Sequence, residues 1–338
     1  MSAGRTPSPT FGAGLLLGAS SHDLGTALEP QLKEICATSH KGERLDDVRW
    51  FRTDWQRGGA ATAYAKHISD QHGVRDVVVK LPVGPREYRF LTSLNDTDAP
   101  TPRVLFHGME LGGYDLAWVV MERLPGNPVA AALNKGVFQQ LAESAAKVHL
   151  HAGQRFQLTE AENQFNWEFL MNKAKEAVKL NHPKEEADWS ALIKHTQRAL
   201  PSLVEHWNHR PINTWCHGDL HPGNAMLRPE GSAWGPPGMV LLDFAEAHPG
   251  HWVEDAVYLE RQFWGRPEIT DGAKPVSLLA KARKALGLDC SDDYAGFANV
   301  RRLLMASAAP AFMHREGGAK YLHAAREIAE RLLIMLGK

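Results

Sequence analysis

Cysteine is scarce in this chain. Cys36, Cys216 and Cys290 lie far apart, are odd in number and form no C-x-x-C pair. A disulfide framework is therefore not expected, and a reducing, cytoplasmic setting fits best. No apolar run approaches the roughly 18 residues of a membrane-spanning helix. Phe11 to Ala19 is short and glycine-rich, with only Arg5 before it, so no signal peptide is expected. Charge of one sign is also missing. The formal net charge is −1, which gives no global attraction for nucleic acid or anionic membrane. The sequence contains no G-x-x-x-x-G-K-[ST], no G-x-S-x-G and no H-E-x-x-H, so a P-loop, a hydrolase elbow and a zincin helix are excluded by motif.

What remains is a chain of 338 residues, 43% hydrophobic, long enough for about two lobes. Residues 1–46 read as an extension with one helix, Leu24 to Cys36, where Leu28, Leu32 and Ile35 recur at helical spacing. Residues 47–123 read as a small, mostly antiparallel β lobe. Its strand candidates are Val48–Arg52, Ala61–Ile68, Asp76–Leu81, Arg103–His107 and Leu116–Met121, with one helix opened by Gly84–Pro85. Leu124–Pro125–Gly126–Asn127–Pro128 breaks regular structure. Residues 124–338 then read as a larger, mainly helical lobe, giving an α+β chain.

The most chemical stretch is His217–Gly218–Asp219–Leu220–His221–Pro222–Gly223–Asn224, followed by the apolar run Met239–Leu242 and then Asp243–Phe244. Phosphoryl transfer needs a carboxylate that orients the acceptor and hard oxygen ligands that hold magnesium on the phosphates. Asp219 suits the first role, and Asn224 and Asp243 suit the second. The spacing of His217 and His221 fits no zinc motif, and His217 reads better as a brace for the loop. Strand alternation puts Val78 and Lys80 on one face of Val77–Leu81, where they can face a nucleotide while Val77, Val79 and Leu81 fill the core. Glu87 shares the apolar face of the following helix with Phe90, Leu91 and Leu94, and Lys80 is its natural partner. Gly58 and Gly59 suit either a hairpin turn or a phosphate-covering loop.

With these residues in place, the chain resembles the aminoglycoside phosphotransferase and choline kinase superfamily, from about Val48 to Tyr258. That resemblance implies a protein-kinase-like bilobal fold and transfer of the ATP γ-phosphate, with Mg2+, to a small-molecule hydroxyl. By resemblance Asp219 is the catalytic base, Asn224 and Asp243 are magnesium ligands, and Lys80 contacts the α- and β-phosphates with Glu87 as its ion-pair partner. Val119 to Gly126 looks like the family's hinge, implying adenine hydrogen bonds to the main chain at Glu122 and Leu124 beside Met121. Asp255 resembles an aspartate that braces the catalytic loop. Asp243 to Asp255 is too short for a protein-kinase activation segment, which argues against a protein substrate. A nucleotide-binding scaffold without turnover is the alternative.

Aminoglycoside, amino alcohol and sugar acceptors all remain open. From Ala245 onward there are 12 acidic and 13 Lys or Arg residues, so no acidic surplus awaits a polycation. The helices of 157–213 and the C-terminal region are expected to carry the acceptor. Trp167, Trp207, Trp252 and Trp264 could stack on a sugar or enclose a quaternary amine, or simply pack the core.

Overall fold

A computed structural model of the chain describes residues 24–39, 41–52, 60–159, 165–312 and 318–338. Gly58 and Gly59 lie outside the described residues. The chain partitions into two compact units. One ends at Tyr88 and resumes over Val104–Arg123; the other comprises Arg89–Arg103 and Leu124–Lys338.

Valine alternation sets the centre of the first unit. In β3 (Gly73–Leu81) Val77, Val79 and Leu81 are fully buried, while Val78 and Lys80 share the other face and stay half-buried. With β1 (Glu43–Arg52), β2 (Ala61–Ser69), β4 (Val104–Leu111) and β5 (Tyr114–Glu122), it forms a sheet ordered β1-β2-β3-β5-β4, antiparallel at every pairing. Met121 pairs with Val78, and Val119 with Lys80. Helix α1 (Leu24–Ser39) buries Leu28, Leu32 and Cys36 at helical spacing. It approaches β1 closely at Gly25, where a Cβ would come within 2.6 Å of the Trp50 ring. Trp50 Nε1 donates to Glu29 at 3.1 Å.

Helix α2 (Pro85–Ser93) carries the boundary between the units. Arg89–Arg103 falls within the expected 47–123 lobe yet belongs to the second unit, for a backbone reason. The Pro100 carbonyl accepts from Leu241 N at 2.8 Å, the Arg228 guanidinium donates to Thr101 O at 3.1 Å, and Arg103 Nε donates to Trp234 O at 3.3 Å.

The second unit is mainly helical. Its helices are α3 (Lys135–Arg155), α4 (Trp167–Asn181), α5 (Glu186–Asn208), α6 (Val253–Arg261), the single turn α7 (Pro267–Thr270), α8 (Pro275–Ala285), α9 (Tyr294–Ser307) and α10 (Ala319–Met335). Asn134, Asn166 and Asp293 cap α3, α4 and α9, each accepting from an amide three residues on. The stripe Phe138, Leu141, Ala145 and Val148 makes α3 the buried spine. Two small ribbons complete the unit: β6 (Thr214–Cys216) with β9 (His248–Gly250), and β7 (Ala225–Arg228) with β8 (Gly238–Leu241).

An aromatic cluster fixes the residue after Asp243. Phe90 stacks on Phe244 at 5.4 Å and on Phe156 at 4.9 Å, and Trp215 lies 5.7 Å from Phe90. Phe244 has no exposed surface. Phe244→Ala is therefore expected to destabilise the chain by about 3–5 kcal/mol, read as a drop in urea midpoint. A loss below about 1 kcal/mol would mean that the cluster collapses around the gap.

Candidate active site

The segment from His217 to Asn224 leaves β6 and enters β7 through a 3₁₀ turn at Pro222–Asn224. Gly218 has φ +83, and a Cβ there would lie 2.1 Å from the Glu246 carbonyl oxygen, so both conformation and space demand glycine. The loop amides converge on Asp255, in the first turn of α6. Asp255 Oδ2 accepts from His217 N at 2.8 Å and Oδ1 from Gly218 N at 2.9 Å. His149 Nε2 donates to Oδ2 at 3.0 Å, and the buried Arg283 donates to His149 Nδ1 at 3.2 Å. Burial alone would raise the Asp255 pKa. The bonds from His149 and the loop outweigh it and hold the carboxyl below its ordinary value.

His217 fastens the loop to the segment carrying Asp243. Its Nδ1 accepts from Asp219 N at 3.3 Å, so Nε2 bears the proton and donates to Leu242 O at 2.9 Å. Leu242 N in turn donates to Asn224 O at 2.8 Å. Both ring nitrogens of His217 are thus spent on the backbone, which removes it from any zinc set. The exposed Asp243 follows with φ +62, a left-handed conformation that aspartate tolerates better than most residues. Such non-glycine positions concentrate at functional sites.

The carboxylate of Asp219 is closely partnered. Asn224 Nδ2 donates to Oδ2 at 2.9 Å and to the Asp219 carbonyl at 3.1 Å, and His221 Nε2 lies 3.5 Å from Oδ2. Tyr258 donates its hydroxyl to Oδ1 at 2.5 Å. Burial pushes the Asp219 pKa up, but the bonds from His221, Tyr258 and Asn224 win and hold it far below the usual carboxylate range. Asn224 spends its amide N–H groups on Asp219, which leaves its carbonyl oxygen for a cation. That oxygen and the Asp243 carboxylate are a hard donor pair of the kind magnesium takes.

In the first unit Lys80 Nζ reaches both oxygens of Glu87 at 2.6 Å, with the carboxylate side chain 4% exposed. Met121 and Glu122 end β5, and Glu122 is buried; Leu124 opens the second unit, buried.

Sequence reasoning missed Tyr258, His149 and Arg283. The signal for Tyr258 was its place three residues after Asp255, hence on the same helix face. Arg283 acts across 134 residues and left no local trace. Trp252 and Trp264 are packing groups. Trp252 is fully buried, Trp264 stacks on Tyr321 at 6.0 Å, and Trp167 and Trp207 are 6% and 4% exposed. The last two border a cavity of about 730 Å³ between α4, α5, Glu254 and Arg301. None of Asp219, Asn224, Asp243 or Tyr258 lines it.

Cys216, His248 and Glu254 also meet as a buried group of metal-ligand type. Glu254 already accepts from Arg210 Nε at 3.2 Å and His251 N at 3.0 Å, and burial pushes the Cys216 thiol well up. A protonated thiol and a carboxylate neutralised by arginine are poor ligands.

The phosphotransferase enzyme family model matches residues 50–274. The chain belongs to the phosphotransferase enzyme family. Several solved structures share its protein-kinase-like α+β fold. Spectinomycin phosphotransferase APH(9)-Ia, solved with ADP and spectinomycin, superposes with TM-score 0.53 at 14% identity, over 90% of this chain and 98% of that one. An aminoglycoside phosphotransferase from Alicyclobacillus acidocaldarius subsp. acidocaldarius DSM 446 gives 0.54 at 17% identity, over 81% and 89%. A Ralstonia eutropha JMP134 protein gives 0.55 at 17% identity, over 90% and 96%. No curated protein matches the chain. Among the described residues, no helix of this phosphotransferase family member is long and apolar enough to cross a membrane.

The buried histidines around the loop predict how stability responds to pH. Burial, outweighing nearby carboxylates, lowers the pKa of His149, His217 and His251 from 6.5. Folded, they stay neutral where the unfolded chain protonates, so stability falls as pH drops below about 6.5. His248 runs the other way. Burial opposes its charge, but Glu254 outweighs it and raises the pKa, so its contribution is lost as pH rises through the folded value. The urea midpoint should peak near neutrality and fall towards about pH 5, by up to about 1.4 kcal/mol per pH unit for each histidine still neutral. A midpoint flat over that range would contradict the assignment.

Proposed function

We propose that this family member transfers the γ-phosphate of magnesium-bound ATP to a hydroxyl group of a small molecule. The observation that carries the reading is the pairing of Asp219 with Asn224 across five residues of one loop, tied through His217 and Leu242 to Asp243 in its left-handed conformation. The Lys80–Glu87 pair supports it, since a lysine held this way can meet phosphate oxygens as a fixed cation. Val78 and Met121, opposite each other in the sheet, suit an adenine surface, with Glu122 and Leu124 offering main-chain groups. Asn224 and Asp243 would hold magnesium, which supplies charge neutralisation on the phosphates.

In this reading the acceptor oxygen bonds to the γ-phosphorus as the bond to the β–γ bridging oxygen breaks, and ADP leaves with that electron pair. Asp219 orients the acceptor hydroxyl through its hydrogen bond. A carboxylate with so low an affinity for protons extracts no proton early, so the proton passes from the acceptor oxygen to Asp219 late, as the phosphorus bond forms, and is then returned to solvent. Asp219 therefore contributes mainly by positioning, which a loose phosphoryl-transfer transition state chiefly requires. The acceptor is a polyol, amino alcohol or aminoglycoside-like molecule. Spectinomycin in the similar structure is one instance of such chemistry.

The test is an acceptor panel with radiolabelled γ-phosphate. Asp219→Asn should lower turnover by roughly 10²–10⁴-fold while ATP binding persists. Lys80→Ala should cut kcat/KM for ATP. ATP binding with no labelled product from any acceptor would instead favour a scaffold without turnover, and a fully active Asp219→Asn would remove the assigned role.

A further inference from the structure

Asp219 has two oxygens and they are treated unequally. Oδ2 takes Asn224 and faces His221, while among the described residues Oδ1 takes only the Tyr258 hydroxyl. Asn224 and His221 come from the same loop as Asp219, so they set its rotamer. Tyr258 comes from α6, half-buried, on the helix face that also carries Asp255. Its ring is backed by the Arg261 guanidinium at 4.8 Å. The phenol is thus an oxygen acid aimed at a lone pair of the proposed catalytic carboxylate, which is the posture of an acceptor alcohol.

We propose that Tyr258 is a resident stand-in for the acceptor hydroxyl, a positioning residue that occupies Asp219 Oδ1 until a substrate alcohol displaces it and that thereby suppresses transfer of phosphate to water. This deepens the phosphotransfer reading and rests on it. Burial, reinforced by the bond to Asp219, raises the phenol pKa, so the hydroxyl remains a donor throughout the physiological range. A hydrogen bond to a charged carboxylate corresponds to roughly ten- to hundredfold in occupancy. Water brings only its own hydrogen bond to that competition. An acceptor brings the binding energy of its whole skeleton, which can be spent on moving the phenol aside. When water does win, its oxygen bonds to the γ-phosphorus, ADP departs with the bridging electron pair, and the water proton passes to the phosphate released.

Hydrolysis of magnesium-ATP without acceptor tests this on the full chain. Wild type, Tyr258→Phe and Tyr258→Leu are compared, with Asp219→Asn as blank. Removing the hydroxyl should raise Asp219-dependent hydrolysis about ten- to hundredfold, converted from the occupancy above, with a melting midpoint close to wild type in at least the phenylalanine variant. A residue that only supported the fold would lower hydrolysis when changed. Hydrolysis unchanged or reduced in both variants, while wild type exceeds the blank, overturns the stand-in role and leaves the phosphotransfer reading intact. Rates equal to the blank in every chain overturn the stand-in role as well, and the phosphotransfer reading then stands or falls on the acceptor panel alone.

Discussion

One buried carboxylate organises the second unit. Asp255 is fully enclosed, and its charge is stable there only because four donors converge on or behind it: two loop amides, His149, and Arg283 at one remove. The dependence runs both ways. The loop amides at His217 and Gly218 would lose their acceptor without Asp255, and Asp255 would keep only His149 as a direct donor without them. This mutual requirement selects one loop conformation. That conformation needs Gly218 at positive φ, and it directs the Asp219 carboxylate towards Tyr258, one turn further along the same helix.

The arrangement assigns different work to chemically similar groups. Asp255 and Asp219 both have lowered pKa values, and in both the donors outweigh burial. The donors to Asp255 are backbone and buried imidazole, which cannot leave without unfolding the loop. The donors to Asp219 are the side chains of Asn224, Tyr258 and His221, at a half-exposed position where a ligand hydroxyl can compete. Histidines divide similarly. His149 and His217 are neutral hydrogen-bond relays with both nitrogens committed, whereas at His248 burial is outweighed by the Glu254 carboxylate, which raises its pKa.

Local sequence carried much of this. The alternation through Val77–Leu81 fixed which face Lys80 occupies, and the five-residue interval from Asp219 to Asn224 fixed a carboxylate beside a carboxamide. Strand limits were read short: β1 begins at Glu43 rather than Val48, and β4 runs to Leu111 rather than His107. Charged residues such as Glu43, Arg44 and Asp46 hide strand periodicity, and both strands pair through register shifts that break strict alternation. The tertiary partners of the loop were illegible for another reason. Arg283 belongs to an ordinary amphipathic helix, and nothing within a turn of it distinguishes a residue that grips a distant loop from one that faces solvent; Tyr258 left only its spacing from Asp255.

The cavity beside α4 and α5 is lined by aromatic rings and by charges of both signs. Its walls include Trp207 beneath Arg210, and Arg301 ringed by Phe165, Trp167 and Trp207 at 4.7–5.2 Å. Arg301 is buried, and burial, outweighing Glu254, depresses its pKa to about 10, still far above neutrality. The lining carries two guanidiniums, Arg210 and Arg301, against two carboxylates, the buried Glu254 and the exposed Glu168. Its formal charges balance, so it offers no acidic surplus to a polycation, in keeping with the absence of one after Ala245. Neither the volume of about 730 Å³ nor the balanced charge of this cavity, which none of Asp219, Asn224, Asp243 or Tyr258 lines, separates the acceptor classes that the motif leaves open.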